Sequence, residues 1–287
     1  MMETCLELKN VTKQYEHFTL DNVSMKIPKG CIIGLIGENG AGKTTLIQLI
    51  LNLIEKDSGE ITVFGKDHKK YDKEVKEKLG IVLDEGNFYD MLNAKHINKI
   101  MKKIYKSWDK TLFFEYLQRF SISPEKKIKE YSLGMKKKLS LCVAMSHGAE
   151  LLILDEAMSG LDPIVRNEIL DVFMEFIQDE KKSILISSHI TNDLEKISDY
   201  IIFLHKGKIV LNKNKDCLLE KYGLLKCPKN KLEEIEKEDM IRFKKNEFGY
   251  EILVDNKQLM QKKYKDFIID SVNLEQLMYF YVKGETV

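Results

Sequence analysis

The densest chemistry in the chain lies in Gly37-Glu38-Asn39-Gly40-Ala41-Gly42-Lys43-Thr44-Thr45, which fits the phosphate-loop pattern G-x-x-x-x-G-K-[ST] in full. Gly37, Gly40 and Gly42 permit backbone conformations that a side chain blocks, so successive N–H groups can turn inward around an anion. Those donors precede a helix, whose N-terminus already favours negative charge. Lys43 adds a full charge with the reach to meet the β- and γ-phosphates of a nucleotide, and Thr44 supplies a hydroxyl for Mg²⁺. The competing reading is a glycine-rich turn that merely precedes a helix. The flanks argue against it: residues 31–36 are a short apolar run of strand type, and residues 46–51 are apolar at helical spacing.

A second cluster is Leu151-Leu152-Ile153-Leu154-Asp155-Glu156. Four branched aliphatics predict a fully buried strand, with two acids at its C-terminal end, where open α/β sheets bind ligands. Asp155 suits Mg²⁺, directly or through water, and Glu156 suits a general base for an attacking water. Two adjacent acids with no cation nearby in the sequence are costly unless a cation or a bound phosphate–Mg²⁺ uses them. His189 ends another buried strand, residues 183–189, where it can contact a γ-phosphate and orient water. The other histidines, at 17, 68, 96, 147 and 205, have no such setting and receive no function.

Weaker candidates keep two readings each. Ser132 and Gly134 precede a helix and form either an anion site or a simple N-cap. Asp84-Glu85, just past the strand at residues 79–83, serves either a ligand or a loop cap. Tyr15 either stacks on a purine or packs at an edge.

These groups need a framework, and the pattern supplies one. Residues 5–36 read as strands, residues 58–65 as a strand bounded by glycines, and residues 69–78 as a charged helix. Residues 93–147 read as helical throughout, with Ile97, Ile100, Met101 and Ile104 on one face and a break at Ser123-Pro124. Residues 201–211 read as a closing hairpin. A chain of 287 residues with 44% apolar and 32% charged content is an ordinary globular composition. The net charge of +1 gives no electrostatic case for nucleic acid or anionic lipid. Five scattered cysteines read as reduced thiols, and no apolar stretch approaches the roughly 18 residues that span a bilayer. No signal peptide is expected at the N-terminus.

Taken together the motifs resemble the ATP-binding subunit of an ABC transporter, from about residue 6 to about residue 215. They run in that family's order: Walker A at residues 37–45, signature at 131–135, Walker B at 151–155 with Glu156 next, D-loop at 159–162, and the switch His189. Tyr15 falls where the family places its adenine-stacking aromatic. The resemblance implies an α/β P-loop NTPase, with a RecA-like core, an N-terminal antiparallel β-subdomain and an α-helical subdomain at about 85–147. Residues 216–287 would add a small α+β extension.

It further implies ATP and Mg²⁺ as ligands, with Thr44, Asp155 and Asp84 on the metal. A second ATP-binding subunit is expected, a homodimer in preference to a heterodimer. Ser132 and Gly134 of one copy would close the other's site, and Asp162 would connect the two. The partner would be a separate transmembrane permease, with no nucleic acid, placing the chain at the cytoplasmic face of the membrane with no span of its own. Two departures stand out. Asp84 replaces the family's usual Gln, which touches Mg²⁺ and links site to permease, and the signature reads Tyr-Ser-Leu-Gly-Met in place of Leu-Ser-Gly-Gly-Gln. Both look like exporter-type subunits of Gram-positive bacteria, some of which handle antimicrobial or cytolytic peptides. The alternative is an ABC-type ATPase acting on ribosomes or DNA; it is disfavoured because the chain has neither a second such domain nor a coiled-coil insert.

Overall fold

A computed structural model describes residues 3–84 and 88–285, so Glu85, from the candidate acidic pair, lies outside the described residues. The chain opens with β1 (Thr4–Gln14), β2 (Thr19–Pro28), β3 (Ile32–Ile36) and α1 (Lys43–Ile50). Next come β4 (Ser58–Val63), β5 (Lys66–Asp67), α2 (Asp72–Glu77) and β6 (Leu79–Val82). The middle is helical, with α3 (Ala94–Ile104), α4 (Lys110–Arg119) and α5 (Leu133–Met145). Strands and helices then alternate: β7 (Leu151–Asp155), α6 (Pro163–Phe176), β8 (Ser183–Ser187), α7 (Thr191–Ile197), β9 (Tyr200–His205) and β10 (Lys208–Asn214). The C-terminal part holds α8 (Lys215–Lys221), β11 (Gly223–Pro228), β12 (Arg242–Lys245), β13 (Gly249–Val254), α9 (Lys257–Lys263), β14 (Ile268–Ser271) and α10 (Leu274–Lys283).

The central sheet has the order β10-β9-β3-β8-β7-β6, parallel except for the β10 edge. Every residue of β3, β7 and β8 is buried, as expected for parallel strands covered on both faces. One face packs with Leu46, Leu49 and Ile50 of α1 and with the antiparallel sheet β2-β1-β4-β5, through Leu6, Leu8, Ile27 and Ile61. The other face meets the helical segment through Phe113, Leu117, Leu139 and Cys142, and α6 through Phe173.

The helical stretch differs from a continuous run. Asp109 caps α4 by accepting the Leu112 N–H, which starts a new helix at a position where apolar spacing shows no interruption. On α3, Ile97 is buried while Ile100 and Ile104 are exposed, so only part of the expected face reaches the core. The charged helix at 69–78 shrinks to α2, because Asp67 accepts the N–H groups of Lys69 and Lys70 and makes a turn there. Among the described residues, no helix is long and apolar enough to cross a membrane.

Residues 223–285 form a second antiparallel sheet, β12-β13-β11-β14, with α9 and α10. Period-2 alternation divides it. Leu224 and Leu253 face the main core, together with Leu274, Leu277 and Phe280 of α10. Leu225, Ile252 and Val254 face a small core of their own, with Met260 and Ile269. Both strands and helices expected of a small α+β extension are present, with Asn273 capping α10. Between β11 and β12 the chain forms short 3-10 turns at Lys229–Glu234 and Lys237–Asp239.

Candidate functional site

Four neighbouring parallel strands deliver the site. The glycine loop follows β3, His189 follows β8, Glu156 follows β7 and Asp84 follows β6, so all four lie past the C-terminal edge of one sheet. They line one cleft of about 740 Å³, together with Asn39, Gly40, Gly42, Lys43, Thr44, Thr45 and Ser159.

The loop has the shape its glycines allow. Gly42, at φ +106°, caps α1, and a Cβ there would sit 2.6 Å from Phe18 Cζ. A Cβ on Gly37 would come within 2.4 Å of the Leu204 carbonyl oxygen. No side chain caps α1 and no acid occupies its first turn, so no side chain of the helix itself competes for its N-terminal N–H groups at the cleft. That is the cradle a nucleotide phosphate fits. Lys43 is 7% exposed and donates to the carbonyls of Gly37 at 2.8 Å and Glu38 at 3.3 Å. The β9–β10 hairpin backs the loop: Gly207 donates its N–H to the Ala41 carbonyl, and His205 Nδ1 lies 3.0 Å from Glu38 Oε1.

Opposite the loop, β7 and β8 run in register with Asp155 beside Ser187. The Ser187 hydroxyl donates to Asp155 Oδ1 at 2.6 Å and accepts the Glu156 N–H at 3.1 Å. Asp155 is buried, and Glu156 holds a left-handed backbone at φ +48°. From there its carboxylate reaches His189 Nδ1 at 2.8 Å and Lys43 Nζ at 3.7 Å. The Glu156 carboxylate therefore does have a cationic partner, Lys43, far away in sequence, while Asp155 is met by the Ser187 hydroxyl. Lys137 donates to the Glu156 carbonyl, to the Ser159 carbonyl and to Asp84 Oδ1.

Other expected site residues lie elsewhere. Tyr15 is 43% exposed beneath the Lys13 ammonium and is not a lining residue of the cleft; His17 and Phe18 are. Ser132 caps α5 by accepting the Met135 N–H, and Gly134 faces Leu161 and Val165. Neither lines the cleft of its own chain. Asp162 caps α6 by accepting the N–H groups of Ile164 and Val165. Among the described residues no cluster of three or more His, Cys, Asp or Glu is placed to hold a metal on its own. Sequence reasoning passed over Ser187, Lys137, His17, Phe18 and His205. Only Ser187 left a signal, as a polar residue inside an otherwise aliphatic buried strand.

A protein-family profile described as ABC transporter matches residues 20–159. The bacitracin transport ATP-binding protein BcrA of Enterococcus faecalis is 36% identical over 213 residues, covering 73% of this chain and 69% of that protein. The chain belongs to the ATP-binding subunits of ABC transporters. As such it binds and hydrolyses ATP. The lantibiotic transport ATP-binding protein SrtF of Streptococcus pyogenes is 35% identical over 214 residues, 74% of this chain and 91% of that protein. A solved ATP-binding subunit of an ABC transporter superposes with a TM-score of 0.68 at 25% identity, covering 74% of this chain and 90% of that one. An ATP-binding cassette solved as a post-hydrolysis dimer with ADP and Pi gives 0.66 at 20% identity, over 73% and 98% of the two chains; it shares the fold.

Proposed function

We propose that the subunit hydrolyses ATP with Glu156 as general base and drives a separate transmembrane permease. The observation that carries this reading is the convergence of Lys43, Glu156 and His189 on one cleft, beside an α1 N-terminus that no side chain caps. Lys43 leaves its loop carbonyls to bind the β- and γ-phosphates, and Tyr15, outside the cleft lining but bonded through its N–H to the Phe18 carbonyl, stacks on the adenine. Thr44 and Asp155 would hold Mg²⁺, with Asp84, which lines the cleft, to assist. Held there, Mg²⁺ would supply charge neutralisation for the phosphates. Glu156 takes a proton from water as the water oxygen bonds to the γ-phosphorus and the bond to the β-bridging oxygen breaks. His189 orients that water against the γ-phosphate.

Ser132 and Gly134 lie outside their own chain's cleft, which suits a head-to-tail pair in which they close the partner's site and Asp162 links the two. Residues 1–215 form the cassette, about 85–147 its helical subdomain, and 216–287 the extension. The subunit sits at the cytoplasmic face through its permease, and the cargo belongs to the peptide antibiotics for which BcrA and SrtF are named.

Glu156→Gln tests the chemistry: turnover falls roughly 10²–10⁴-fold, while the protein with MgATP elutes as a dimer. Wild-type-like turnover removes Glu156 from the base role. Recovery of a polytopic membrane protein with the tagged subunit supports the permease, and its replacement by ribosomal or DNA-bound proteins overturns it.

A further inference from the structure

Lys137 lies on the second turn of α5, after the expected signature Ser132, and its side chain is 7% exposed. Its ammonium has three protons, and each has an acceptor: the Glu156 carbonyl at 2.8 Å, the Ser159 carbonyl at 2.9 Å and Asp84 Oδ1 at 3.3 Å. The acceptors come from two segments, the turn at Glu156–Ser159 and the residue just past β6, and all three residues line the nucleotide cleft. Lys137 itself is not a lining residue and stands behind them.

Glu156 needs such support. Its backbone at φ +48° is a conformation a non-glycine residue holds only when its surroundings impose it. Its N–H is fixed by Ser187, and its carbonyl is fixed by Lys137 and the Ser159 N–H. That backbone sets where the carboxylate points, toward His189 and Lys43. The same ammonium balances Asp84, the acid standing where the resemblance puts an uncharged Gln.

We infer that Lys137 is a positioning residue for hydrolysis: it clamps the backbone of the base, the turn at Ser159 and the Asp84 carboxylate from behind the cleft, without touching ATP. The inference rests on Glu156 acting as the base.

The test is steady-state ATPase activity and fluorescent ATP-analogue binding by the full chain carrying Lys137→Met or Lys137→Arg, with Glu156→Gln alongside. Losing two charge-assisted hydrogen bonds to the carbonyls lowers kcat about 10- to 100-fold in Lys137→Met. KM and analogue affinity stay within about threefold, because the phosphate loop is untouched. Lys137→Arg keeps the charge and donors and recovers most of kcat. If Lys137→Met does not fold, Lys137→Gln is read the same way. A kcat near wild type, or a loss of affinity in proportion to the loss of rate with no recovery by Arg, overturns the inference. An inactive Glu156→Gln beside an unaffected Lys137→Met sinks the Lys137 clamp alone, whereas an active Glu156→Gln removes the base reading first.

Discussion

A single hydroxyl ties the two adjacent acids together. Ser187 Oγ donates to Asp155 and accepts from the Glu156 N–H, and its residue is fully buried. Ser187→Ala leaves a carboxylate oxygen without its donor and a backbone N–H without its acceptor, a penalty of about 1–3 kcal/mol. The expected outcome is a lower melting temperature together with a drop in ATPase rate of about tenfold or more. Unchanged melting and turnover would show that neither acid depends on this hydroxyl. The glycine loop was legible from residue types because local backbone freedom and one helix N-terminus define it. The Ser187 bridge was not, since it depends on the β7–β8 register placing Asp155 beside Ser187.

Where α5 ends, His147 joins the helical segment to the central sheet. Its Nδ1 lies 3.1 Å from the Val143 carbonyl, its Nε2 2.9 Å from the Leu79 carbonyl, and its ring stacks on Tyr105 at 3.8 Å. Burial is the largest influence and pushes the imidazole below its ordinary value of 6.5, against the pull of the two carbonyls. A neutral ring has one N–H and serves one carbonyl at a time. Because the folded value lies below the unfolded one, the unfolded chain takes up the proton more readily on acidification. The contribution to stability is present above the unfolded value and is lost as pH falls below it toward the folded one. Melting temperature should therefore drop between about pH 7.5 and about pH 5.5. His147→Gln should show a smaller drop over that interval, and an equal drop assigns the acid sensitivity to other groups. At this scale the sequence gives α3 to α5 their existence but not their breaks: the Asp109 cap and the Ser107 hydroxyl bond to the His147 carbonyl end one run and start the next.

The extension is not a free appendage. The inner face of its sheet and α10 contribute Leu224, Leu253, Leu274, Leu277 and Phe280 to the same core cluster as Phe173 and Ile201 of the cassette. Glu195 of α7 accepts the Leu274 N–H across that junction. Phe280 is buried, so Phe280→Ala should cost about 3–5 kcal/mol. Scanning calorimetry should then show one transition moved to lower temperature, because cassette and extension share a core. Two separate transitions, with only the smaller one shifted, would mean that the extension folds independently.

What the sequence determined by itself was local or periodic in origin: the phosphate loop, the aliphatic strands, the two acids, the histidine that follows a buried strand and the order of these motifs. Each follows from backbone freedom, side-chain chemistry or spacing along a few residues. Tertiary structure alone decided which cations meet Glu156, because Lys43 and Lys137 arrive from positions far apart in the chain and only strand order brings them together. It also placed His17 and Phe18, rather than Tyr15, on the cleft wall, and turned one face of the C-terminal sheet toward the main core. Burial and register are properties of the packed molecule, and no window of sequence contains them.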